Sequence, residues 1–297
     1  MQQDFIPENL GKYEVNIGDG WAWSDDYENS RTLRLKCNGS LHLRYAVEIL
    51  VKKAKYLCLH QLDGVKDILW ELDREEKCDR LRYLFSSSMA GNISQIQEIE
   101  VTDCKELKEI IGQESANHVD DNERNYKVVL PRLESLKLSS INSENIWVDQ
   151  PQPIPSYIEC LKSLTVEECN GLKFMFSSSM VKSLVRLQKL VICNCKSMEA
   201  VIFDSEGEDK IIDLSFPKLF YLKLVGLPQL TRFGSGNSVE FLTLNELHIE
   251  GCSNLKIFFH NSFGVDRQRK ESDEVGSEKY INDINPLFNE KRKAKSV

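Results

Sequence analysis

The chain has 297 residues, of which 38 are basic and 46 are acidic, and its formal net charge is −8. Negative charge of this size repels nucleic-acid phosphates and anionic lipid headgroups, so we expect neither nucleic acid nor a membrane as a partner. Apolar residues (41%) and charged residues (28%) occur in the proportions of a folded globular protein, which excludes a disordered or collagen-like chain.

Cysteine usage and the two ends of the chain indicate the compartment. Nine cysteines are an odd number and too sparse for a small secreted disulfide scaffold, so they indicate a reducing environment. The sequence has neither a signal peptide at its start nor an apolar run of roughly 20 residues that could span a bilayer. We expect a cytoplasmic protein. The nucleus is the alternative, because the basic segment 291–295 fits an import signal as well as a solvated tail.

The predicted elements begin with a partial repeat or edge segment at residues 1–30, followed by two weak apolar frames around 33–35 and 57–62. The 42 residues from Leu57 to its counterpart Ile99 are too many for one repeat and too few for two, which leaves the number of turns there open. From residue 96 onward a stronger frame, L-x-x-L-x-L-x-x-C with related apolar residues, recurs about every 30 residues. Its six copies are Ile96, Ile99, Val101, Cys104; Leu133, Leu136, Leu138, Ile141; Leu161, Leu164, Val166, Cys169; Leu187, Leu190, Ile192, Cys195; Leu219, Leu222, Leu224, Leu227; and Leu244, Leu247, Ile249, Cys252.

The period of two inside each frame predicts a strand with its leucines on one face, and the following residues turn the chain back along an irregular or helical path. One such unit cannot bury its own apolar face, whereas stacked units share a core and pair their strands in parallel. We therefore predict an α/β fold, a leucine-rich-repeat solenoid of about eight irregular repeats at residues 31–263, with the strands on its concave side. Residues 264–297 are predicted to be a disordered charged tail, and the acidic insertions 112–127 and 204–210 to be solvated loops at the rim.

Four cysteines occupy the last position of the frame: Cys104, Cys169, Cys195 and Cys252. We interpret them as small buried residues, with a metal or redox role as the weaker alternative, because the copies that end in Ile141 and Leu227 interrupt the column. Cys193 and Cys195 are expected to lie on opposite faces of the chain, so they are not predicted to form a redox pair.

Catalytic motifs are absent from the sequence. It contains no H-E-x-x-H zinc motif, no G-x-S-x-G nucleophile turn and no G-x-G-x-x-G dinucleotide loop, and its five histidines share no common spacing. We predict that the chain is not an enzyme and has no catalytic residue, no metal and no cofactor.

The strand residues that face away from the leucines are the candidate partner-binding residues, because a parallel sheet presents them as a broad, rigid surface that core packing does not constrain. Their mixed charge favours a protein partner over a phosphate. The apolar members are a candidate hot spot, with the alternative that loops or side chains of neighbouring repeats cover them. The candidate concave-face set is Glu100, Thr102, Lys137, Ser139, Thr165, Glu167, Val191, Cys193, Phe220, Tyr221, Lys223, Val225, His248 and Glu250, with Val191, Cys193, Phe220, Tyr221 and Val225 as its apolar part.

Several segments together resemble a known family. They are Tyr13-Glu-Val-Asn-Ile-Gly-Asp-Gly-Trp21-Ala-Trp23, Ser30-Arg-Thr-Leu-Arg-Leu35, the stretch 59–73, and the blocks Cys104-Lys-Glu-Leu-Lys108, Cys169-Asn-Gly-Leu-Lys173 and Cys252-Ser-Asn-Leu-Lys256. This set is similar to the repeat region of plant coiled-coil, nucleotide-binding, leucine-rich-repeat disease-resistance proteins (NLRs). The resemblance covers roughly residues 5 to 263, a span counted from the matching segments.

The resemblance implies a protein-interaction module of plant innate immunity that recognises a pathogen effector or a guarded host protein. Members of this family carry a coiled coil and a nucleotide-binding switch domain before the repeats, and this sequence has no G-x-x-x-x-G-K-[ST] phosphate loop. We therefore expect no binding of ADP or ATP, and we expect a fragment, a truncated product or a separate paralogue that could meet an NLR switch domain only in trans. The alternative function is a leucine-rich-repeat scaffold or ubiquitin-ligase substrate adaptor.

Overall fold

The computed structural model describes residues 12–18, 31–36, 44–62, 83–86, 93–105, 107–112, 130–144, 146–147, 156–203, 214–234 and 239–256. The predicted tail at 264–297, the acidic stretches 113–127 and 204–210, and most of the segment 1–30 lie outside these residues. Within them, no helix is both long enough and apolar enough to cross a membrane.

Nine parallel strands form one sheet in which every strand pairs with the next strand of the same sheet along the chain. This is the solenoid that the repeated frame predicts, because each copy of the frame supplies one strand. The strands in spatial order are β1 (Tyr13–Ile17), β2 (Arg31–Lys36), β3 (Tyr56–His60), β5 (Glu98–Thr102), β7 (Ser135–Ser139), β8 (Ser163–Glu167), β10 (Lys189–Cys193), β13 (Tyr221–Val225) and β15 (Glu246–Glu250).

The opposite side of the solenoid carries short strands and helices. The strands pair two by two, β4 with β6, β9 with β11 and β12 with β14, all in parallel. Their bounds are β4 (Tyr83–Ser86), β6 (Glu109–Gly112), β9 (Phe174–Ser177), β11 (Ala200–Phe203), β12 (Leu214–Phe216) and β14 (Val239–Phe241). The helices are α1 (Arg44–Lys53), α2 (Ser156–Cys160) and α3 (Ser178–Val181).

The structure settles the number of turns between β3 and β5. Leu57 of β3 is the direct partner of Ile99 of β5, so the 42-residue interval contributes one step of the main sheet. The additional residues include β4, which pairs with β6 on the other side of the solenoid. The long interval is therefore a single, longer repeat.

The apolar frame residues form a continuous core. Leu136, Leu164, Leu190 and Leu222 are partners in neighbouring strands, and all four are fully buried. Burial decreases at β15, where Leu247 is only half-buried. Each inner repeat therefore buries its leucines against two neighbours, as expected for a stack of units that cannot fold alone.

Each repeat turns out of its strand through a residue with left-handed backbone geometry. The turn residues next to one another in the stack include Glu168 (φ 57°), Asn194 (φ 57°) and Gly226 (φ 65°). The N–H of each donates to a carbonyl of the next repeat, as in the bond from Asn194 to Val225 (2.8 Å). This column of turns fixes the register between repeats.

Candidate functional site

The concave face is defined here by the strand side chains that point away from the leucine core. The strand register arranges them in three rows, one side chain per strand, which we name first, middle and last in the direction of the strands. The predicted residues form the middle row, Glu100, Lys137, Thr165, Val191, Lys223 and His248, and the last row, Thr102, Ser139, Glu167, Cys193, Val225 and Glu250.

Sequence reasoning missed most of the first row. Only its Tyr221 is in the predicted set, although its neighbours Lys189 and Glu246 are in register with it and are exposed. The same alternation that identified the middle row would have identified these residues two positions earlier. The prediction also stopped short of β2 and β3, where Arg34 and Cys58 extend the middle row toward the amino terminus.

An ionic network lies across β3, β5, β7 and β8. The Tyr56 hydroxyl donates to Glu100 Oε2, and Lys137 Nζ lies 3.0 Å from Glu100 Oε1. The same ammonium lies 3.9 Å from Glu167 Oε2, so it bridges two carboxylates. This cluster of four side chains, the Glu100–Lys137 network, gives each of its charged groups a counterion, with two carboxylates sharing one ammonium.

Titration of the network follows from these contacts. Burial by itself would raise the pKa of Glu100, but the hydrogen bonds from Tyr56 and Lys137 outweigh it and hold that pKa below its ordinary value. Burial would lower the pKa of Lys137, but Glu100 and Glu167 raise it. Burial, followed by the charge of Glu100, raises the pKa of the adjacent Cys58 thiol to about 12. At neutral pH the ions are charged and the thiol is neutral and unreactive.

A different surface lies across β10, β13 and β15. The ring of Tyr221 lies 5.4 Å from the ring of His248, and Lys189 Nζ lies 5.5 Å from the Tyr221 centroid, within cation–π range. Lys223, in the middle row beside Val191 and His248, forms no ion pair with any residue that the structure describes. In this region, aromatic and aliphatic side chains lie beside Lys223, a cation with no ion-pair partner among the described residues.

Three apolar residues of the predicted set, Val191, Cys193 and Phe220, do not lie exposed on the concave face. Val191 and Cys193 face the concave side but are only 7% and 8% exposed. Of the two alternatives, an exposed hot spot or covered side chains, the second therefore applies to these two residues. Phe220 precedes β13 and lies at the edge of the sheet, where it is 43% exposed, so its assignment to the concave rows is wrong. Tyr221 and Val225 lie on the concave face and are half-buried.

The cysteine column has a structural role. Cys104, Cys169 and Cys195 are buried in the core, and Cys252 is half-buried at the last described repeat. Each thiol lies against the carbonyl oxygen of the residue two positions earlier, for example 3.4 Å from Cys195 to Cys193. The contact with Cys169 and burial both raise the pKa of Cys195. In the described part of the chain, no three metal-ligating side chains come together.

Cys193 and Cys195 lie on opposite sides, as expected, with Cys193 on the concave face and Cys195 in the core. Regular strand alternation would place residues two apart on the same side. The left-handed conformation of Asn194 between them (φ 57°) breaks that alternation and turns Cys195 inward. The separation therefore comes from the turn that ends β10.

Comparison with known proteins gives a curated relative and a similar solved structure. A curated relative, "Probable disease resistance protein At4g27220" of Arabidopsis thaliana, is 32% identical over 130 residues, which are 43% of this chain and 14% of the relative. The chain therefore corresponds to a small part of that protein's length. Among solved structures, the leucine-rich repeat domain of the type III effector XCV3220 (XopL) matches with 17% identity and a TM-score of 0.35, over 71% of this chain and 58% of that one.

A family model carries the assignment. The model described as "Plant disease resistance protein RPS2-like, leucine-rich repeats" matches residues 71–196 and 132–267, two overlapping segments that together span more than half of the chain. Beyond position 130, the matched residues include five complete strands of the main sheet. These strands are β7, β8, β10, β13 and β15. The chain belongs to the leucine-rich-repeat family of RPS2-like plant disease resistance proteins.

Proposed function

We propose that the chain is a protein-recognition module of plant innate immunity that contacts a pathogen effector or a guarded host protein through its concave face. The family assignment supports a role in disease resistance, and the nine-stranded sheet supports a binding role because it offers a rigid surface. Charges of both signs along the rows fit a protein partner.

The observation that carries the proposal is the difference between the two halves of this face. In the Glu100–Lys137 network two carboxylates share one ammonium, so every charge has a counterion, whereas Lys223 beside Tyr221 and His248 has no described counterion. A partner that covers β10, β13 and β15 gains contacts to an aromatic ring and to Lys223, a cation that forms no ion pair with a described residue. Interface hot spots are enriched in aromatic residues such as Tyr, and charge complementarity with a partner adds specificity.

Site-specific photocrosslinking tests this proposal. A photoreactive benzoylphenylalanine replaces His248 on the concave face in one variant and Lys196, an exposed residue that follows the core residue Cys195, in a matched control. Both variants are expressed in leaves challenged with a bacterial pathogen, and the crosslinked proteins are identified by mass spectrometry. We expect a discrete crosslinked protein from position 248 and none from position 196.

A direct titration then completes the test. The identified protein is purified and added to the wild-type chain and to Lys223→Glu, which we expect to bind at least tenfold more weakly because the cation is reversed. Equal crosslinking from both positions, or unchanged affinity of Lys223→Glu, would show that the concave face of β10, β13 and β15 is not the recognition site.

The compartment that fits this role is the cytoplasm. Seven cysteines among the described residues are free thiols, as a reducing compartment requires. A fluorescent fusion of the full chain, expressed in leaf cells with and without residues 291–295, distinguishes a cytoplasmic distribution from nuclear import.

A further inference from the structure

A second surface runs along the edge where the chain enters each strand. The residues immediately before β5, β7, β8, β10, β13 and β15 form a backbone ladder, in which each N–H donates to the carbonyl of the previous repeat. We call this ladder, together with the three residues before it in each repeat, the leading edge. The ladder residues are Gln97, Glu134, Lys162, Gln188, Phe220 and Asn245.

Exposed apolar side chains concentrate on the leading edge of the last three described repeats. Among the described residues, the large hydrophobic side chains that are exposed are Val185 (46%), Phe220 (43%) and Leu242 (67%). Val185 and Leu242 hold the same place in their repeats, two residues before the first apolar residue of the frame, and Phe220 lies on the ladder between them. Single exposed hydrophobic residues are common, but three on one edge of three consecutive repeats form a patch.

Two cations next to this patch have no ion-pair partner among the described residues. Arg186 and Lys218 hold the equivalent position next to the frame, are exposed, and form no ion pair with any described residue. In the preceding repeats Lys162 Nζ lies 2.8 Å from the carboxylate oxygen Glu134 Oε1, whereas Arg132 donates at 3.2 Å to Gln95 Oε1, which is a neutral amide oxygen. Among the described residues, Arg132, Arg186 and Lys218 therefore give the leading edge positive charge without a counterion.

A groove leads into the patch from the preceding repeats. It has a volume of about 340 Å³, and its lining includes Arg132, Cys160 and Arg186. Its single acidic lining residue, Glu134, is the one that Lys162 neutralises. The groove therefore offers an anion two guanidinium groups, next to the apolar side chains of the following repeats.

The spacing of the patch suits a single polypeptide segment. Three consecutive strands span two inter-strand distances, or about 10 Å. This is the length of about seven residues of α-helix or three residues of extended chain, so one segment reaches from Val185 past Phe220 to Leu242.

We propose that the leading edge of these three repeats docks an acidic segment of a partner protein whose carboxylates alternate with aliphatic or aromatic anchors. The anchors pack on Val185, Phe220 and Leu242, and the carboxylates pair with Arg186 and Lys218. Charge complementarity determines this choice of occupant, because the exposed cations next to the patch have no counterion among the described residues, while Lys162 already neutralises the acidic residue of the adjoining groove. The surface is separate from the concave rows, so its occupation does not depend on the function proposed for them.

Peptide selection on the purified full chain tests the proposal. A phage-displayed library of random twelve-residue peptides is panned against the wild-type protein, and enriched peptides are synthesised and titrated. We expect the enriched sequences to contain Asp or Glu together with Leu, Phe or Trp. Their affinity should fall at least tenfold in the Arg186→Glu, Lys218→Glu variant and in Phe220→Ser.

Matched variants separate the edge from the rest of the molecule. Lys196→Glu makes an equal charge reversal at an exposed residue after the core residue Cys195, and Lys223→Glu makes it on the concave face; both should bind the peptides as the wild type does. Circular dichroism and elution volume establish that each variant is folded. Replacing the peptide carboxylates with lysines should restore binding to the Arg186→Glu, Lys218→Glu variant.

Three results would overturn the proposal. Enriched peptides that are basic, or that bind the edge variants and the wild type equally, would show that this edge does not select acidic segments. Failure of the library to yield any binder would show that the patch does not dock peptides. A concentration-dependent dimer that Phe220→Ser abolishes would assign the edge to a second copy of the chain.

Discussion

The strands β5, β7 and β8 and the strands β10, β13 and β15 share one backbone architecture but differ in how they use their surface side chains. In the first group Glu100 and Glu167 share Lys137 as their counterion on the concave face. In the second group Lys223 on the concave face and Arg186 at the leading edge have no described counterion. Because the charges of the first group already have partners within the chain, the recognition surface that we propose is that of the second group.

Strands inside the second group also differ in the support that they receive from their neighbours. Leu222 of β13 is fully buried between two strands, whereas its partner Leu247 is half-buried on β15, the last described strand. The contrast in burial and the contrast in charge pairing each lead to measurable consequences.

The largest effect is expected in the core. Leu222→Ala removes a fully buried side chain and should lower the free energy of unfolding by about 3 kcal/mol. Leu247→Ala, at the same position of the next repeat, should cost only about 1 kcal/mol because the side chain is already half exposed. Urea denaturation followed by circular dichroism measures both. Equal losses would show that β15 is packed as tightly as β13.

A smaller effect is expected in the turn column. Gly226→Ala should cost about 1 to 2 kcal/mol, because a side chain disfavours its left-handed backbone (φ 65°) and the new methyl group would clash with Asn194 Oδ1. Asn194→Gly removes the clash and should return part of this loss in the double variant. If thermal unfolding shows the two losses to be simply additive, the contact with Asn194 plays no part.

The network should contribute less than the core. Lys137→Met leaves Glu100 partly buried without its cation and should cost about 1 kcal/mol at pH 7, a modest value because Lys137 is 43% exposed. NMR titration should show the pKa of Glu100 rising in this variant, since the lysine helps to hold it down.

The pH dependence of this variant has a definite sign. The pKa of Glu100 is lowered in the folded state, so its contribution to stability is present above the ordinary value of 4.5 and is lost as the pH falls through the lowered folded-state pKa. The pKa of Lys137 is raised, so its contribution is present below 10.5 and is lost as the pH rises through the raised value. The stability difference between the wild type and Lys137→Met should therefore disappear in acid. A difference that persists at pH 2 would rule out the ion pair as its cause.

The smallest effect on the free energy of unfolding is expected at Lys223, the cation of the second group that lies in the same row as Lys137. Lys223→Met should change the free energy of unfolding by less than about 0.5 kcal/mol, because no described ion pair is lost. The same substitution should weaken binding to the partner identified by crosslinking. Urea denaturation and direct titration measure the two quantities, and a large loss of stability would mean that Lys223 has a structural role like that of Lys137.

Sequence reasoning predicted the fold because the frame repeats the same physical requirement in every copy. Leucines two residues apart define a buried strand face, and six copies in register define a stack. Alternation also identified Glu100, Lys137 and Lys223 as residues of one row, which the strand register confirms. Their role in binding stays a proposal.

Sequence reasoning was less successful for side-chain exposure, for the start of a strand and for the number of repeats in a long interval. Alternation assigns a side chain to a face but does not say how far its neighbours cover it, so the burial of Val191 was not predictable. Phe220 was misplaced because the frame does not specify where the strand begins. The number of repeats in the long interval before Ile99 was ambiguous, because the number of residues between two strands does not determine how many strands the sheet gains there.

The sequence by itself determined the repeat, its strand faces, the buried cysteine column and the family, because all of these follow from local periodicity repeated along the chain. The tertiary structure decided which charges meet and which remain unpaired. Tyr56, Glu100 and Lys137 come from three separate repeats, up to 81 residues apart, and become neighbours only through the strand register. Ion pairs across a stack depend on distances between repeats, and no local pattern encodes those distances.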